Sequence, residues 1–374
     1  MKRRYKILGA LGIVLAVLAG ALGFALSHSS PCAAAPPLAA GATRMKAIVY
    51  RCYGPPQVLR YEDIARPTPA DDEVLVRVHA ASVNPLDWHY LEGIPYIVRL
   101  FDSGLGRPES PRMGVDFAGT VEAVGRQVTH FKAGDEVFGG RHGAFAEYVT
   151  IRESRALAPK PAQLSFDEAA AVPIAALTAL QALRDAGQLR AGQRVLIIGA
   201  SGGVGTFAVQ IAKSYGAQVT GVCSTRNVEL VRSLGADQVI DYTREDFLNS
   251  GEHFDLILDN VGNRSFAGLL ALRRLLTPGG RAVLIGGGGP ADGRWIGALS
   301  MPLEAWIISP FISQKFEMMF ADLTPADLNV MAELMQSGKV TAVIDRRYAL
   351  ADTAAALAYL EQGHARGKVI ITVP

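Results

Sequence analysis

The chain has 374 residues, a length that allows two or three domains. Hydrophobic residues make up 49% and glycine contributes 39 residues, which is typical of α/β layers joined by short turns and excludes a disordered or fibrous chain. The formal net charge of +2 indicates no nucleic-acid surface. Three widely spaced cysteines, Cys32, Cys52 and Cys223, predict neither a disulfide framework nor a Cys-x-x-Cys metal site.

The N-terminal 44 residues differ from the rest. A basic cluster precedes residues 7–26, which carry no charge and as a helix would span roughly 30 Å, about the thickness of a bilayer core. This predicts a membrane-associated protein held by a single N-terminal helix, with residues 27–44 as a flexible linker rich in Ser, Pro and Ala. A cleaved signal is one alternative. Another is translation from Met45, which would make the protein cytoplasmic.

Residues 45–165 predict a compact β-rich domain, because short alternating runs are separated there by Gly-Pro and Gly-Asp pairs. At residue 166 the pattern changes to helices. Ser165, with Glu168 three residues later, predicts a capping box at the start of the first of them.

Residues 166–311 predict a doubly wound parallel sheet, because helical segments separate five apolar runs. These runs are Arg194 to Ile198, Gln218 to Cys223, Gln238 to Asp241, Phe254 to Asp259 and Arg281 to Ile285. Residues 312–374 are predicted to return to the β-rich domain through a helix and a final strand. The apolar segment Trp295 to Phe320 is interpreted either as the wall of a substrate cleft or subunit contact, or as irregular core packing.

The stretch from Val195 to Thr206 predicts a strand, a glycine-rich turn and a helix. It follows the pattern A-x-G-x-x-G, with Ala200 in the position usually held by the first glycine and an additional Gly203. Gly202 would let the backbone approach a pyrophosphate, and Gly205 would let the helix pack closely on its strand. The helix that begins near Val204 would direct free N–H groups at the phosphates.

The end of the second strand indicates which dinucleotide is bound. NAD sites usually place a carboxylate there, whereas this chain has Ser224, Thr225 and Arg226 and no acid before Glu229. Two hydroxyls and a guanidinium suit a 2′-phosphate, so NADPH is favoured over NADH. Tyr242, after the third strand, is predicted to cover the adenosine end. A solvated turn with an unrelated arginine is the alternative.

Polar residues and glycines also follow the fourth and fifth strands, at the sheet edge where such folds bind ligands. They are Asn260, Gly262, Gly286 and Gly287, which we predict to contact the cofactor. No histidines or cysteines form a tight ligand pair, so no metal site is predicted.

From Met45 onward the chain resembles the zinc-independent medium-chain dehydrogenase/reductases of the quinone oxidoreductase (zeta-crystallin-like) branch, which includes the reticulon-interacting mitochondrial proteins. Their pattern is matched by residues 81–87, 114–119, 132–137, 143–148, 202–205 and 363–368. The resemblance implies a GroES-like substrate domain followed by a Rossmann domain. Where zinc-dependent relatives place ligands, this chain has Asn84, Val115-Asp116 and Ile174.

The resemblance further implies NADPH-dependent reduction of quinones or α,β-unsaturated carbonyl compounds by a homodimer. Asn84 would hydrogen-bond near the nicotinamide or the substrate carbonyl, Thr178 would help to seat the nicotinamide, and Asp87 would orient the Asn84 loop. Trp88, Tyr90 and Tyr96 line a pocket or belong to the core.

Two other functions remain open. One is an enoyl-thioester reductase, with Arg99, Arg107 and Arg112 as a basic entrance. The other is a membrane-anchored NADPH-binding assembly protein without turnover.

Overall fold

The computed structural model describes residues 17–100, 104–262, 266–285, 293–295 and 313–374. Within these ranges no helix has both the length and the apolarity needed to cross a bilayer, so the prediction of a membrane-associated protein held by its N-terminal helix is wrong. A helix is described over residues 17–27 (α1), and residues 7–16 of the predicted anchor lie outside the described residues.

The remaining helices and strands follow in chain order. The helices are α2 (Pro85–Glu92), α3 (Phe166–Ala170), α4 (Pro173–Gln181), α5 (Gly203–Ser214), α6 (Val228–Ser233), α7 (Phe266–Arg274), α8 (Pro325–Gln336) and α9 (Thr353–Glu361). The strands are β1 (Arg44–Val49), β2 (Arg60–Ala65), β3 (Glu73–Val83), β4 (Asp116–Val124), β5 (Glu136–Gly140), β6 (Tyr148–Arg152), β7 (Leu157–Pro159), β8 (Arg194–Ile198), β9 (Gln218–Cys223), β10 (Gln238–Asp241), β11 (Phe254–Asp259), β12 (Leu276–Ile285), β13 (Lys315–Met319), β14 (Ile344–Ala349) and β15 (Lys368–Thr372). Short 3-10 turns occupy Pro56–Val58, Tyr96–Leu100, Thr225–Asn227, Phe247–Asn249 and Leu350–Asp352, and a π-type turn occupies Ala182–Ala186.

A six-stranded parallel sheet in the order β10-β9-β8-β11-β12-β13 forms the Rossmann domain. The predicted doubly wound sheet is therefore confirmed. Its central strands are buried because helices cover both faces, as their apolar runs require. The sixth strand, β13, corrects the predicted boundary at residue 311, since the Rossmann sheet continues to Met319.

The GroES-like domain contains a seven-stranded sheet in the order β14-β15-β3-β4-β5-β7, with β6 also paired to β3. The long strand β3 pairs antiparallel with β4, β6 and β15. The last strand of the chain therefore lies beside residues 80–83, which lead directly into α2. This pairing brings residues from both ends of the chain to one site.

The junction between the two domains begins at the predicted capping box. The Ser165 hydroxyl accepts from the Glu168 N–H, and the Glu168 carboxylate accepts from the Ser165 N–H. Both pairings satisfy N–H groups that a helix start leaves free. Helix α3 therefore begins where the sequence predicts.

Residues 28–43 do not form the predicted flexible linker but lie against the GroES-like domain. Cys32 and Cys52 form a disulfide, which corrects the expectation that the cysteines do not pair. The Ser30 N–H donates to the Gly106 carbonyl and the Ala33 N–H to the Arg51 carbonyl. Cys223 is a free, buried thiol.

Arg99 joins the N-terminal segment to the loop that follows α2. Its guanidinium is buried between the rings of Tyr53 and Tyr96, with centroid distances of 4.2 and 4.8 Å. It donates to the carbonyl oxygens of Leu26 and His28 at 2.9 and 2.8 Å. Arg99 is therefore a structural residue and does not form part of a basic entrance, because its donors are directed at backbone carbonyls.

Reduction of the Cys32–Cys52 disulfide should destabilise the fold, because the bond closes a chain segment with a sequence separation of 20. We expect a loss of roughly 2 to 4 kcal/mol in the free energy of unfolding. Denaturant titration with and without reductant measures it. The double variant Cys32→Ser/Cys52→Ser should show the same loss and no response to reductant, whereas Cys223→Ser should keep the response. Equal stability of the oxidised and reduced wild type would contradict the prediction.

Candidate active site

The glycine-rich turn joins β8 to α5 at the carboxyl edge of the Rossmann sheet. A Cβ atom at Gly205 would lie 2.1 Å from the Gly199 carbonyl oxygen, so only glycine allows α5 to approach β8 this closely. A Cβ atom at Gly202 would meet no atom closer than 3.5 Å. The turn therefore packs tightly on its strand at Gly205, whereas a Cβ atom at Gly202 would make only an ordinary van der Waals contact.

A cleft of about 1050 Å³ separates the two domains at this edge. Nine of the predicted site residues line it, namely Asn84, Gly202, Gly203, Val204, Gly205, Ser224, Arg226, Tyr242 and Asn260. Trp88 lines it as well. The cleft thus brings the glycine turn, the end of β9 and the Asn84 loop to one cavity, although they are far apart in the sequence.

Five other predicted residues are not among those that line the cleft: Asp87, Thr178, Ala200, Thr225 and Gly262. The Thr178 hydroxyl donates to the Ile174 carbonyl one turn earlier in α4. The Thr225 hydroxyl donates to the Asp241 carboxylate at 2.5 Å. These hydroxyls serve local structure. Gly286 and Gly287 lie outside the described residues.

Buried polar atoms without partners indicate where a ligand would bind. Both side-chain atoms of the Asn260 amide, at the end of β11, are buried and make no hydrogen bond. The Asn227 Oδ1 atom is also buried and unpaired, while its Nδ2 donates to the Ser201 hydroxyl at 2.9 Å. Such atoms are rare in folded proteins unless a ligand or water completes them. Together with the glycine turn, which lines the same cleft, they fit a dinucleotide bound along this edge.

Arg226 connects the two domains beside the end of β9. Its Nη2 atom donates to the His364 carbonyl at 2.5 Å. The loop around His364 also contacts the glycine turn, since the Gly367 N–H donates to the Ser201 carbonyl at 2.9 Å. The guanidinium therefore lies at the rim of the cleft, where the two domains meet.

A buried cluster of polar side chains lies in the GroES-like domain, beside the glycine turn, since a Cβ atom at Gly203 would lie 3.3 Å from Lys368 Cδ. The Lys368 ammonium donates to Asn84 Oδ1 at 2.5 Å and lies 3.4 Å from Asp116 Oδ2. Asp116 also accepts from the hydroxyl of Ser82 and from the backbone N–H of Ile174. Burial raises the pKa of Asp116, and Lys368 and the other donors act in the opposite direction. The Lys368 charge is thus compensated in a site from which water is excluded.

The Asn84 amide is held on both sides. Its Nδ2 donates to Asp116 Oδ2 at 2.9 Å and to the Ser82 carbonyl at 3.3 Å, while its Oδ1 accepts from Lys368. Both N–H bonds of the amide are therefore used within the protein. A hydrogen bond from Asn84 to a nicotinamide or substrate carbonyl, as the resemblance implies, would require one of these bonds to be exchanged.

Asp87 closes the first turn of α2. Its Oδ2 accepts from the Asn84 N–H at 2.8 Å, whereas its Oδ1 is buried and has no hydrogen-bond partner. Burial raises the pKa of Asp87 to about 8, and the Asn84 N–H acts in the opposite direction. While it keeps its proton, Asp87 adds no second negative charge beside Asp116.

The residues at the equivalent of the zinc-ligand positions do not fit a zinc ion. Asn84, Asp116 and Ile174 do meet in space, but they offer an amide, a carboxylate already bound to four donors and a backbone N–H. Among the described residues no group of three His, Cys, Asp or Glu side chains could hold a metal.

Sequence reasoning did not assign a role to Lys368 or Asn227. The sequence does indicate that Lys368 is the first residue of a buried strand, because it lies between Gly367 and a run of β-branched residues. In the structure these residues and Lys368 itself are buried. Asn227 had none, because an asparagine after a strand is common in ordinary turns.

Comparisons with known proteins agree with this geometry. A family model described as "Zinc-binding dehydrogenase" matches residues 234–371, and one described as "Alcohol dehydrogenase GroES-like domain" matches residues 70–162. The mouse protein "NAD(P)H oxidoreductase RTN4IP1, mitochondrial" is 35% identical over 362 residues, covering 89% of this chain and 90% of the relative. The tomato (Solanum lycopersicum) "2-methylene-furan-3-one reductase" is 36% identical over 344 residues, covering 88% and 79%. The solved quinone oxidoreductase from Coxiella burnetii superimposes with a TM-score of 0.75 at 31% identity, covering 89% of this chain and all of the other.

Asp87 should make the protein less stable as the pH rises. Its folded-state pKa of about 8 lies above the ordinary value of 3.8, so between these values the folded state binds more protons than the unfolded state. The free energy of unfolding contributed by Asp87 therefore falls between about pH 4 and pH 8. Asp87→Asn should flatten this slope in denaturant titrations, and the exposed control Asp352→Asn should not. A slope unchanged in Asp87→Asn would contradict the prediction.

Proposed function

Because the chain belongs to the medium-chain dehydrogenase/reductase family, we propose that it is an NADPH-dependent, zinc-independent reductase of quinones or α,β-unsaturated carbonyl compounds. As a member of this family it is an oxidoreductase that uses a nicotinamide cofactor. Beyond this family-level activity, the proposal specifies the phosphorylated cofactor and the class of acceptor.

The observation that supports this proposal most directly is the cleft itself. It connects the glycine turn and the unpaired Asn260 amide to the buried Lys368–Asn84–Asp116 cluster within one cavity. A dinucleotide that extends along it would have its phosphates at the glycine turn. The names of the tomato and Coxiella relatives, an enone-type reductase and a quinone oxidoreductase, support the acceptor class.

The preference for NADPH rests on the residues after β9. Ser224 and Arg226 line the cleft there, and the hydroxyl of Ser224 lies 3.2 Å from the Asn227 amide nitrogen. Within the part of the chain that the structure describes, the Arg226 guanidinium donates to the His364 carbonyl, which leaves further N–H groups for a phosphate. Asp241, a nearby carboxylate, is already bound by the hydroxyls of Thr225 and Thr243.

The bound cofactor would supply a hydride to an electrophilic carbon of the acceptor. The protein's part is to orient the two partners and to exclude water. The apolar residues Trp88, Ile174 and Val261 contribute to the cleft wall, while the Lys368–Asn84–Asp116 cluster fixes the loop that begins α2. The role that we propose for these residues is therefore to position the cofactor and the acceptor.

The proposal is tested with the full chain, NADPH or NADH, and a panel of quinones, enones and one enoyl-thioester. We expect NADPH oxidation with quinones or enones and no effect of a chelator. Stabilisation by NADPH without oxidation by any acceptor would overturn the reductase function, and turnover of the thioester alone would indicate an enoyl-thioester reductase.

We also propose a homodimer, since β13 lies at an edge of the Rossmann sheet, where a second copy could pair. Light scattering of the same preparation measures the mass of the assembly.

Arg226→Ala should weaken NADPH binding by roughly 1.5 to 3 kcal/mol, the value of a hydrogen bond to a charged group, and leave NADH binding almost unchanged. Isothermal titration with both cofactors measures the difference. Arg232→Ala removes an exposed arginine that pairs with Glu229 on α6 and serves as the control. Equal losses for both cofactors would show that Arg226 acts only through its contact with His364.

A further inference from the structure

A glutamate with one buried carboxyl oxygen lies at the end of α9, the helix that precedes the loop around His364. Glu361 lines the cleft together with Trp88 and Leu360. Its Oε1 atom is buried and has no hydrogen-bond partner. An ionised carboxylate in this position would lose its solvation without gaining a donor, which favours the protonated acid.

We propose that Glu361 is the proton donor of the reduction, delivering the proton of its carboxylic acid to the acceptor. This inference rests on the proposed function, because only a reduction by hydride transfer requires such a proton.

Glu92, on the facing helix α2, provides the electrostatic reason for a protonated Glu361. Burial raises the pKa of Glu361, and the like charge of Glu92 raises it further. Burial also raises the pKa of Glu92, whereas the Trp88 indole and Arg294 lower it. Two partly buried carboxyl groups that repel each other retain a proton between them to higher pH than either alone.

The other charged groups around α9 are bound elsewhere. On β14, Asp345 accepts from the Tyr359 hydroxyl at 2.6 Å, and Arg346 lies over the Tyr359 ring. On α2, Asp87 is bound to the Asn84 N–H and His89 to the Ile94 carbonyl. On β15, the Lys368 ammonium bonds to Asn84. Glu92 is the charged neighbour that acts on Glu361.

The remaining proton donors near the cleft are less suitable. The Lys368 ammonium donates to Asn84, approaches Asp116 and donates to the Val83 carbonyl at 3.3 Å. The Thr178 hydroxyl donates to the Ile174 carbonyl. Both groups already donate to oxygen atoms of the protein, whereas Glu361 Oε1 has no hydrogen-bond partner.

With an enone acceptor the step balances as follows. The hydride, with its two electrons, forms a C–H bond at the β-carbon, and the electron pair of the C=C bond moves to give an enolate. The enolate then takes the proton from the Glu361 O–H bond at the α-carbon. The products are the saturated ketone, the oxidised cofactor and the Glu361 carboxylate, which regains a proton from water before the next turnover. The sum is one enone, one NADPH and one proton.

The test compares Glu361→Gln with the control Glu333→Gln, which changes an exposed glutamate on α8. Glu361→Gln should lower kcat with an enone at least about a hundred-fold, the usual contribution of a general acid, and leave the Kd of NADPH unchanged. Wild-type kcat should fall at alkaline pH, and Glu361→Gln should lack that decline. Glu361→Asp should restore part of the rate.

Infrared titration of the protein without cofactor gives an independent measurement. The carboxylic-acid band at neutral pH, to which Asp87 also contributes, should lose one component in Glu361→Gln and none in Glu333→Gln. Glu92→Gln should shift the titration of this band to lower pH, because the like charge is removed.

An unchanged kcat and pH profile in Glu361→Gln, or the absence of a Glu361 acid band at neutral pH, would overturn this proposal alone. Failure of the wild type to reduce any acceptor would overturn the proposed function, and the proton-donor role with it. The two failures are therefore distinguishable.

Discussion

The interaction on which the site depends is the buried contact of Lys368 with Asn84 and Asp116. This contact ties the start of β15 to the end of β3 and the start of β4. The aliphatic stem of Lys368 also packs on the Rossmann domain, since a Cβ atom at Gly203 would lie 3.3 Å from Lys368 Cδ. A charge buried this deeply is tolerated only when its partners are fixed. The same contact therefore sets the Asn84 loop and the spacing between the domains.

This contact also occupies the positions that the resemblance equates with the ligands of zinc-dependent relatives. The three positions that correspond to ligands still converge, but the local positive charge is the Lys368 ammonium, held by the Asn84 amide and the Asp116 carboxylate. A metal accepts electron pairs at an open coordination position, whereas this ammonium directs its N–H bonds at protein oxygens. In this chain the cluster therefore supports the loop that begins α2, beside the cleft.

The sequence predicted those parts of the structure that depend on local patterns. The strands from Arg194 to Asp259 and the Ser165 capping box follow from short-range periodicity and turn chemistry. The Lys368–Asp116 pairing joins residues 252 positions apart, and nothing near either residue indicates its partner. The Cys32–Cys52 pairing and the burial of Arg99 were missed for a related reason, since isolated cysteines and arginines usually are unpaired and exposed.

Arg99 makes the N-terminal segment a part of the catalytic half of the molecule. Its guanidinium has backbone carbonyls as partners, and those of Leu26 and His28 come from outside the GroES-like domain. A proteolytic cut or a translation start that removed residues 1–44 would take these two carbonyls away and leave the carbonyls of Glu92 and Gly93 as partners of a permanent cation between two tyrosine rings. The freed N–H bonds would then need water, which would have to enter beside the loop that follows α2.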